Sequence, residues 1–463
     1  APSGLLSPMA APPAIRRRDL SGVLDQDLCI ACGACVHADP TLRLEIHPEK
    51  QIYEPTHAGN ERAARVCPAV QVDFDRLHRE LFPGAEVGPF GVVDAVMLAQ
   101  SRDHDRNLKA SSGGLIKELL IELLGRPDVD GAIVLAHARG LEFEPRVITR
   151  PEEVDTLPGS IYHNLPKHRV LDLLKELDGR YVWVGIPCEL EGIWQYILEY
   201  EPGLRERIHT TIGLLCGWQY NYHALRALCE FKGLDFERIE GISYRGGGPV
   251  GKLRIDAGGR SAEASRRVDF GYQVAFDRTF NTPRCHLCIN HANFLADIVV
   301  GDAWLPSTVM TRTGISLLIA RRPETTELVR GLERAGRIVL TEVTAHEIEE
   351  SQTHRIAMGD FAYAYAEYLD ELGLHRPDMT GPNRPAARLV PRTEVAEFHR
   401  ELRAKTALQR QRRYRYLRAR KATKELRRFL ARYLNWFLVR IVRVKSLTGK
   451  RREVPRASLR DFR

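Results

Sequence analysis

Tyr181-Val-Trp-Val-Gly185-Ile-Pro-Cys188-Glu189 is the stretch on which the fold turns. Tyr181–Gly185 is a β-branched and aromatic run closed by glycine and proline, so it predicts a short buried strand. A cysteine follows just where that strand gives way to a loop. Upstream, Lys167–Leu177 has the apolar spacing of an amphipathic helix, and Gly131–Ala136 reads as another strand. Downstream, Ile212–Leu215 is strand-like and ends at Cys216, Tyr222–Phe231 is helical, and Ile298–Val300 is strand-like. Short strands alternating with amphipathic helices predict an α/β class built on a mixed sheet.

The sharpest local pattern is Cys29-Ile-Ala-Cys32-Gly-Ala-Cys35. Three thiolates at this spacing can wrap a loop around one face of a 4Fe–4S cube, and Gly33 and Ala34 let the backbone approach the sulfides. A bacterial ferredoxin places Cys-Pro three residues later. Asp39-Pro40 stands there instead, and the remaining Cys-Pro pair is Cys67-Pro68. The expected reading is one cluster on Cys29, Cys32, Cys35 and Cys67, with a four-thiolate zinc site as the alternative. A second set is dispersed: Cys188, Cys216 and Cys285-His-Leu-Cys288. Two of these end predicted strands, where loops of an α/β sheet converge, which favours a second four-thiolate site. Cys229 lies in an apolar helical run and reads as core.

Lys109-Ala-Ser111-Ser112-Gly113-Gly114 opens the helical stretch Leu115–Leu124. Small hydroxylated residues and glycines before a helix can present backbone N–H groups to a phosphate, and they serve equally as an ordinary cap. This is neither a Walker loop nor a GxGxxG fingerprint.

The 463 residues favour two or three domains, and 44% hydrophobic with 28% charged residues is a globular composition. Arg16–Arg18 are followed by polar residues rather than an apolar stretch, so no signal peptide is expected. Nine cysteines, an odd number with several at ligand spacing, predict a reducing, cytoplasmic setting. The net charge of +8 is uneven. Residues 400–463 carry 23 Lys/Arg against 4 Asp/Glu, a surplus of 19 that leaves the first 399 residues at about −11. Leu426, Phe429, Leu430, Tyr433, Leu434, Phe437 and Ile441 fall on one helical stripe among arginines. Such a helix can pack on the acidic body, lie on an anionic membrane with Trp436 and Phe437 at the interface, or bind nucleic acid, the least favoured of the three. The run Tyr433–Val444 is too short and charged to span a bilayer.

Taken in order, these segments resemble the family of the beta subunit of deazaflavin-coenzyme hydrogenases and dehydrogenases, which also takes in the ferredoxin-dependent chlorophyll-pathway reductases. The matching stretches are Cys29–Cys35, Ala110–Gly114, Asp130–Val134, Gly185–Gly192, Ile212–Gly217, and Cys285–Cys288 continuing to Ala296–Trp304. The resemblance implies FAD held partly by Lys109, Ser111, Ser112, Gly113 and Gly114, with Asp302 bordering its pocket. It implies one 4Fe–4S cluster on Cys188, Cys216, Cys285 and Cys288 beside the flavin, and a second in the ferredoxin-like segment. The divisions expected are a disordered 1–23, a ferredoxin-like 24–75, a flavin- and cluster-binding 90–330, a core completion and linker 331–390, and a basic helical extension 391–463. The leading function expected is passage of electrons from a ferredoxin-like donor through two clusters and FAD to a small organic substrate. One alternative is an electron-transfer beta subunit of a larger complex using a deazaflavin coenzyme; another is a redox-sensing or scaffold protein without turnover. No catalytic residue is identified, since His163, His286 and His291 read as structural.

Overall fold

The computed structural model describes residues 19–248, 251–308, 311, 313–381 and 390–446, with residues 433–446 as helix backbone alone. The chain divides after Arg412 into two units. The first is organised by a mixed sheet of eight strands: β1 (Ala95–Ser101), β2 (Gly131–Arg139), β3 (Glu142–Ile148), β4 (Tyr181–Gly185), β5 (Ile208–Leu214), β6 (Ile298–Asp302), β7 (Ser316–Ala320) and β8 (Ile338–Glu342). They lie in the order β8-β1-β7-β6-β5-β4-β2-β3.

β2, β4, β5 and β6 are mutually parallel, with Gly185 opposite Gly213 and Ile298 opposite Ile212. β7 is antiparallel to both β6 and β1, so β1 points the same way as β6. The carboxyl ends of β1, β2, β4, β5 and β6 therefore share one edge, the edge where open α/β sheets hold ligands. Both faces are covered, which is why the strands are unbroken apolar runs. On one face Ala132, Val134 and Val300 pack against Leu115, Leu119 and Leu123 of α1 (Leu115–Leu124). On the other, Ile133, Trp183 and Val299 pack with Leu190, Ile193 and Ile197 of α2 (Pro187–Tyr200).

The Cys-rich segment begins earlier than its polar composition implies. Residues 1–18 lie outside the described residues, but Ser21–Asp25 is helical, and Leu20 and Val23 are buried with Cys29, Cys35 and Cys67. The apolar lining around these thiols needs a cover, and Leu20 and Val23 supply it. A two-stranded ladder, Leu44–Ile46 with Tyr53–Pro55, separates the Cys29–Cys35 loop from Cys67.

The segment read as a linker also contributes structure. Asp378–Thr380 adds a parallel strand to Gln71–Asp73, so its backbone is paired. Residues 382–389 of that segment lie outside the described residues. Nor does the basic region act as one piece. The helix Arg392–Arg410 buries Val395, Phe398 and Leu402 in the same core as Tyr365 and Cys29, and only α4 (Tyr414–Ser446) falls in the second unit. Of the stripe on α4, Leu426, Phe429 and Leu430 are 58%, 64% and 48% exposed. Its remaining members, from Tyr433 onward, lie outside the described side chains, as does Trp436. Among the described residues no helix is long and apolar enough to cross a membrane.

Candidate functional site

The first three cysteines sit on a loop coiled by two left-handed residues, Ala31 at φ +57° and Gly33 at φ +83°. Gly33 admits no side chain, because a Cβ there would stand 2.4 Å from the Cβ of His168. Cys67 arrives from beyond the helix Glu61–Arg65 and completes a pocket lined by Cys29, Cys32 and Cys35. All four are buried. The Ala31 N–H donates to Cys29 Sγ at 3.4 Å. Burial pushes the Cys32 thiol up to about 12 and Cys67 to about 11, and Cys67 and Cys32 each oppose ionisation of Cys29 and Cys35. Four buried thiols facing one another stay protonated at neutral pH unless a metal centre supplies compensating positive charge.

The second set is assembled from distant points of the chain. Cys188 occupies the first turn of α2 after β4, Cys216 follows β5, and Cys285 lies in the tight turn Pro283–Leu287 with Cys288 closing it. Cys216 and Cys285 oppose ionisation of Cys188, and both do so at Cys288, so the four face one another. Gln219 joins them: its backbone N–H donates to Cys285 Sγ at 3.3 Å and its Nε2 to Cys188 Sγ at 3.6 Å. Hydrogen bonds of this kind orient thiolate ligands and tune a cluster's potential. Among the described residues, no three His, Cys, Asp or Glu side chains are gathered tightly enough to hold a single metal ion.

Asp302 ends β6 at the same edge and accepts from Arg245 Nη1 at 2.7 Å. The 27-residue helix α3 (Ala345–Glu371) kinks at Gln352, whose Nε2 donates to the Asp302 carbonyl at 3.1 Å. The kink brings Arg355 alongside Cys216, whose thiol its charge pulls downward against burial. Arg355 Nε donates to Gln352 Oε1, while among the described residues its Nη1 and the Nε of Arg245 are buried without a hydrogen-bond partner. These are donors suited to an anionic group.

The Ser-Ser-Gly-Gly loop reaches this edge too, but two of its donors serve the fold. Ser112 Oγ donates to the Ile315 carbonyl at 3.1 Å, and the Gly113 N–H donates to Ser316 Oγ at 2.9 Å. Those two donors are thus engaged within the fold, and the loop is pinned to the start of β7. Ser111 Oγ accepts from the Ser160 N–H at 2.8 Å, Gly114 caps α1 in a left-handed conformation, and Lys109 is exposed. Beneath the loop, buried Glu118 of α1 accepts from Ser101 Oγ and Arg106 Nη1, both at 2.6 Å. The three histidines are structural in setting. His163 lies between Tyr244 Oη and the Leu141 carbonyl, His286 meets the ring of Phe398, and His291 Nδ1 lies 2.8 Å from the Cys216 carbonyl. Cys229 is buried in its helix.

Sequence reasoning passed over Lys167, Gln219, Arg284, Arg245 and Arg355. Arg284 adjoins Cys285, a signal that was available. Lys167 has no cysteine near it in the chain, and only the fold brings it to the thiols.

Residues 96–172 match the N-terminal region of the coenzyme F420 hydrogenase/dehydrogenase beta subunit, and residues 178–346 match its C-terminal region. Similar proteins include the coenzyme F420 hydrogenase subunit beta of Methanococcus voltae, 28% identical over 49% of this chain and 79% of its own length. Another is an F(420)H(2) dehydrogenase subunit of Methanosarcina mazei, 22% identical over 69% of this chain and 90% of that protein. A chain of the xenon-derivatised F420-reducing NiFe hydrogenase complex from Methanosarcina barkeri overlays with a TM-score of 0.49 at 19% identity, covering 64% of this chain and 99% of that one. With more than half of its length matched in family order, the chain belongs to the family of coenzyme F420 hydrogenase/dehydrogenase beta subunits, whose members are oxidoreductase subunits.

Proposed function

We propose that this chain is the electron-transfer beta subunit of a larger oxidoreductase that handles a deazaflavin coenzyme, with two 4Fe–4S clusters and FAD along its path. The observation that carries the reading is the gathering of eight cysteines into two quartets, the second at the sheet edge that also holds Asp302 and the Ser111–Gly114 loop. The names of the relatives, a beta subunit from a hydrogenase and a subunit from a dehydrogenase, favour a subunit over a stand-alone reductase fed by a ferredoxin-like donor.

The residues fit these groups. Cys29, Cys32, Cys35 and Cys67 would hold one cluster, with Ala31 donating to sulfur; Cys188, Cys216, Cys285 and Cys288 would hold the other, oriented by Gln219. For a flavin phosphate, the unpartnered donors of Arg355 and Arg245 suit better than Ser112 and Gly113, which are engaged. Clusters supply single-electron transfer and a flavin supplies the exchange with a two-electron coenzyme. The protein's own contribution is to hold the thiols, exclude water from the first quartet and set charge around both.

Anaerobic purification tests this. Iron and sulfide for two cubes, one flavin per chain, reduction of a deazaflavin and copurification with large partners are the expected result. Zinc in place of iron, or colourless protein, refutes it. Turnover of an organic substrate with a small carrier alone would instead support the stand-alone reductase, and a flavin that dithionite reduces but no acceptor reoxidises would support the redox-sensing reading. For α4, peripheral contact with an anionic membrane is the reading that its exposed Leu426, Phe429 and Leu430 among arginines support.

A further inference from the structure

α2 touches both quartets. It carries Cys188 in its first turn, and Gly192, one turn later, lies so close to Cys32 that a Cβ would stand 2.6 Å from its sulfur. Four residues of helix rise about 6 Å. Two buried cations lie in this interval. Arg284, 2% exposed, donates from Nε and Nη2 to the carbonyl of Pro68, the residue after Cys67, at 3.2 Å each. Its Nη1 donates to the carbonyl of Leu287, the residue before Cys288, at 2.9 Å. One guanidinium thus ties the loop of one quartet to the loop of the other. Its counter-charge is Glu191 of α2, 3.5 Å away, which also accepts from Asn290.

Lys167 is 3% exposed, and its chain segment touches both quartets. Its backbone N–H donates to the carbonyl of Ala31, between Cys29 and Cys32, and its Nζ donates to the Leu165 carbonyl at 2.9 Å. Three residues earlier, the Asn164 N–H donates to the Tyr220 carbonyl and its Nδ2 to Gln219 Oε1, and Gln219 in turn bonds Cys188 and Cys285. The Lys167 charge interacts with Cys32, Cys188, Cys216 and Cys285, and that of Arg284 with Cys67, Cys285 and Cys288.

We propose that Lys167 and Arg284 are positioning residues shared by the two clusters, a single buried pair of cations that favours the reduced state of both centres. The inference rests on the cluster reading above. Reduction adds one electron to a cluster and makes it one unit more negative, so a cation in a poorly screened interior raises the potential of every cluster it faces. A cation facing two clusters moves both potentials together.

The test is redox titration of the anaerobically purified full-length chain, followed by electron paramagnetic resonance, after iron and sulfide have been counted. A wild-type chain without two clusters defeats the cluster reading itself. With two clusters present, K167Q is expected to lower both midpoint potentials, each by at least a tenfold loss in the reduction equilibrium, or 59 mV for a one-electron couple. K167R is expected to restore both. A shift at one cluster alone, or at neither, overturns the proposal. Should K167Q lose its clusters, R284Q is titrated with the same joint shift expected. If both neutral variants lose clusters while K167R and R284K keep them, the cations belong to assembly, and the proposal fails.

Discussion

The two cysteine quartets gather four thiols each by opposite means. In the first, three come from the seven-residue run Cys29–Cys35 and the fourth from Cys67, all sunk in an apolar pocket under Leu20 and Val23. In the second, the ends of two parallel strands and a tight turn each contribute, and the cysteines are half-buried at an edge lined by Arg245, Asp302 and Arg355. The first is sealed in an apolar core; the second lies more open at the sheet edge. On the proposed cluster reading, a sealed site would serve as an insulated relay and an open one as the point where a coenzyme meets the path.

Breaking one thiol in each quartet is the strongest challenge to that contrast. C32S and C285S should each lose half of the wild-type iron, and C285S alone should also alter flavin absorbance. Equal flavin disturbance by C32S would erase the distinction. A smaller effect is expected from G192A. Alanine in a helix interior normally stabilises by ~1 kcal/mol relative to glycine. Here its Cβ would press on Cys32 Sγ, and overpacking costs about 1–3 kcal/mol. The first quartet should therefore lose iron and Tm should fall; a rise in Tm would mean that the helix yields.

Acid should sharpen the comparison from the side of the first quartet. His78, on the helix that follows its segment, lies buried among Phe74, Phe82 and Phe294. Burial, aided by the Arg321 charge, lowers its pKa from 6.5 to about 4. Between those values the unfolded chain takes up the proton first, so stability is lost as pH falls through that window. H78F should flatten the decline of Tm between pH 6.5 and 4, and an unchanged profile would remove His78 from the account. The smallest effect concerns α4: a chain ending at residue 412 should keep both quartets and lose only co-sedimentation with anionic liposomes. Equal sedimentation of both chains would exclude membrane contact through this helix.

What could be read from the sequence followed the range of the interaction. Cys29–Cys35 was legible because its spacing is local, and the strands were legible because burial on both faces leaves runs such as Ile298-Val-Val. Lys167 and Arg284 were not, since their meaning depends on chain segments far apart. The helix Arg392–Arg410 read as tail because its charge dominates its composition, yet Val395, Phe398 and Leu402 bring it into the core. Ser112 and Gly113 looked like an anion cradle, and β7 had already claimed their donors.

Since α2 presents Cys188 at one turn and Gly192 to Cys32 at the next, the gap between the quartets is inherited from the pitch of a rigid rod. If the quartets hold the proposed clusters, gating of electron flow would operate at the entrance or the exit, with the middle behaving as a fixed wire.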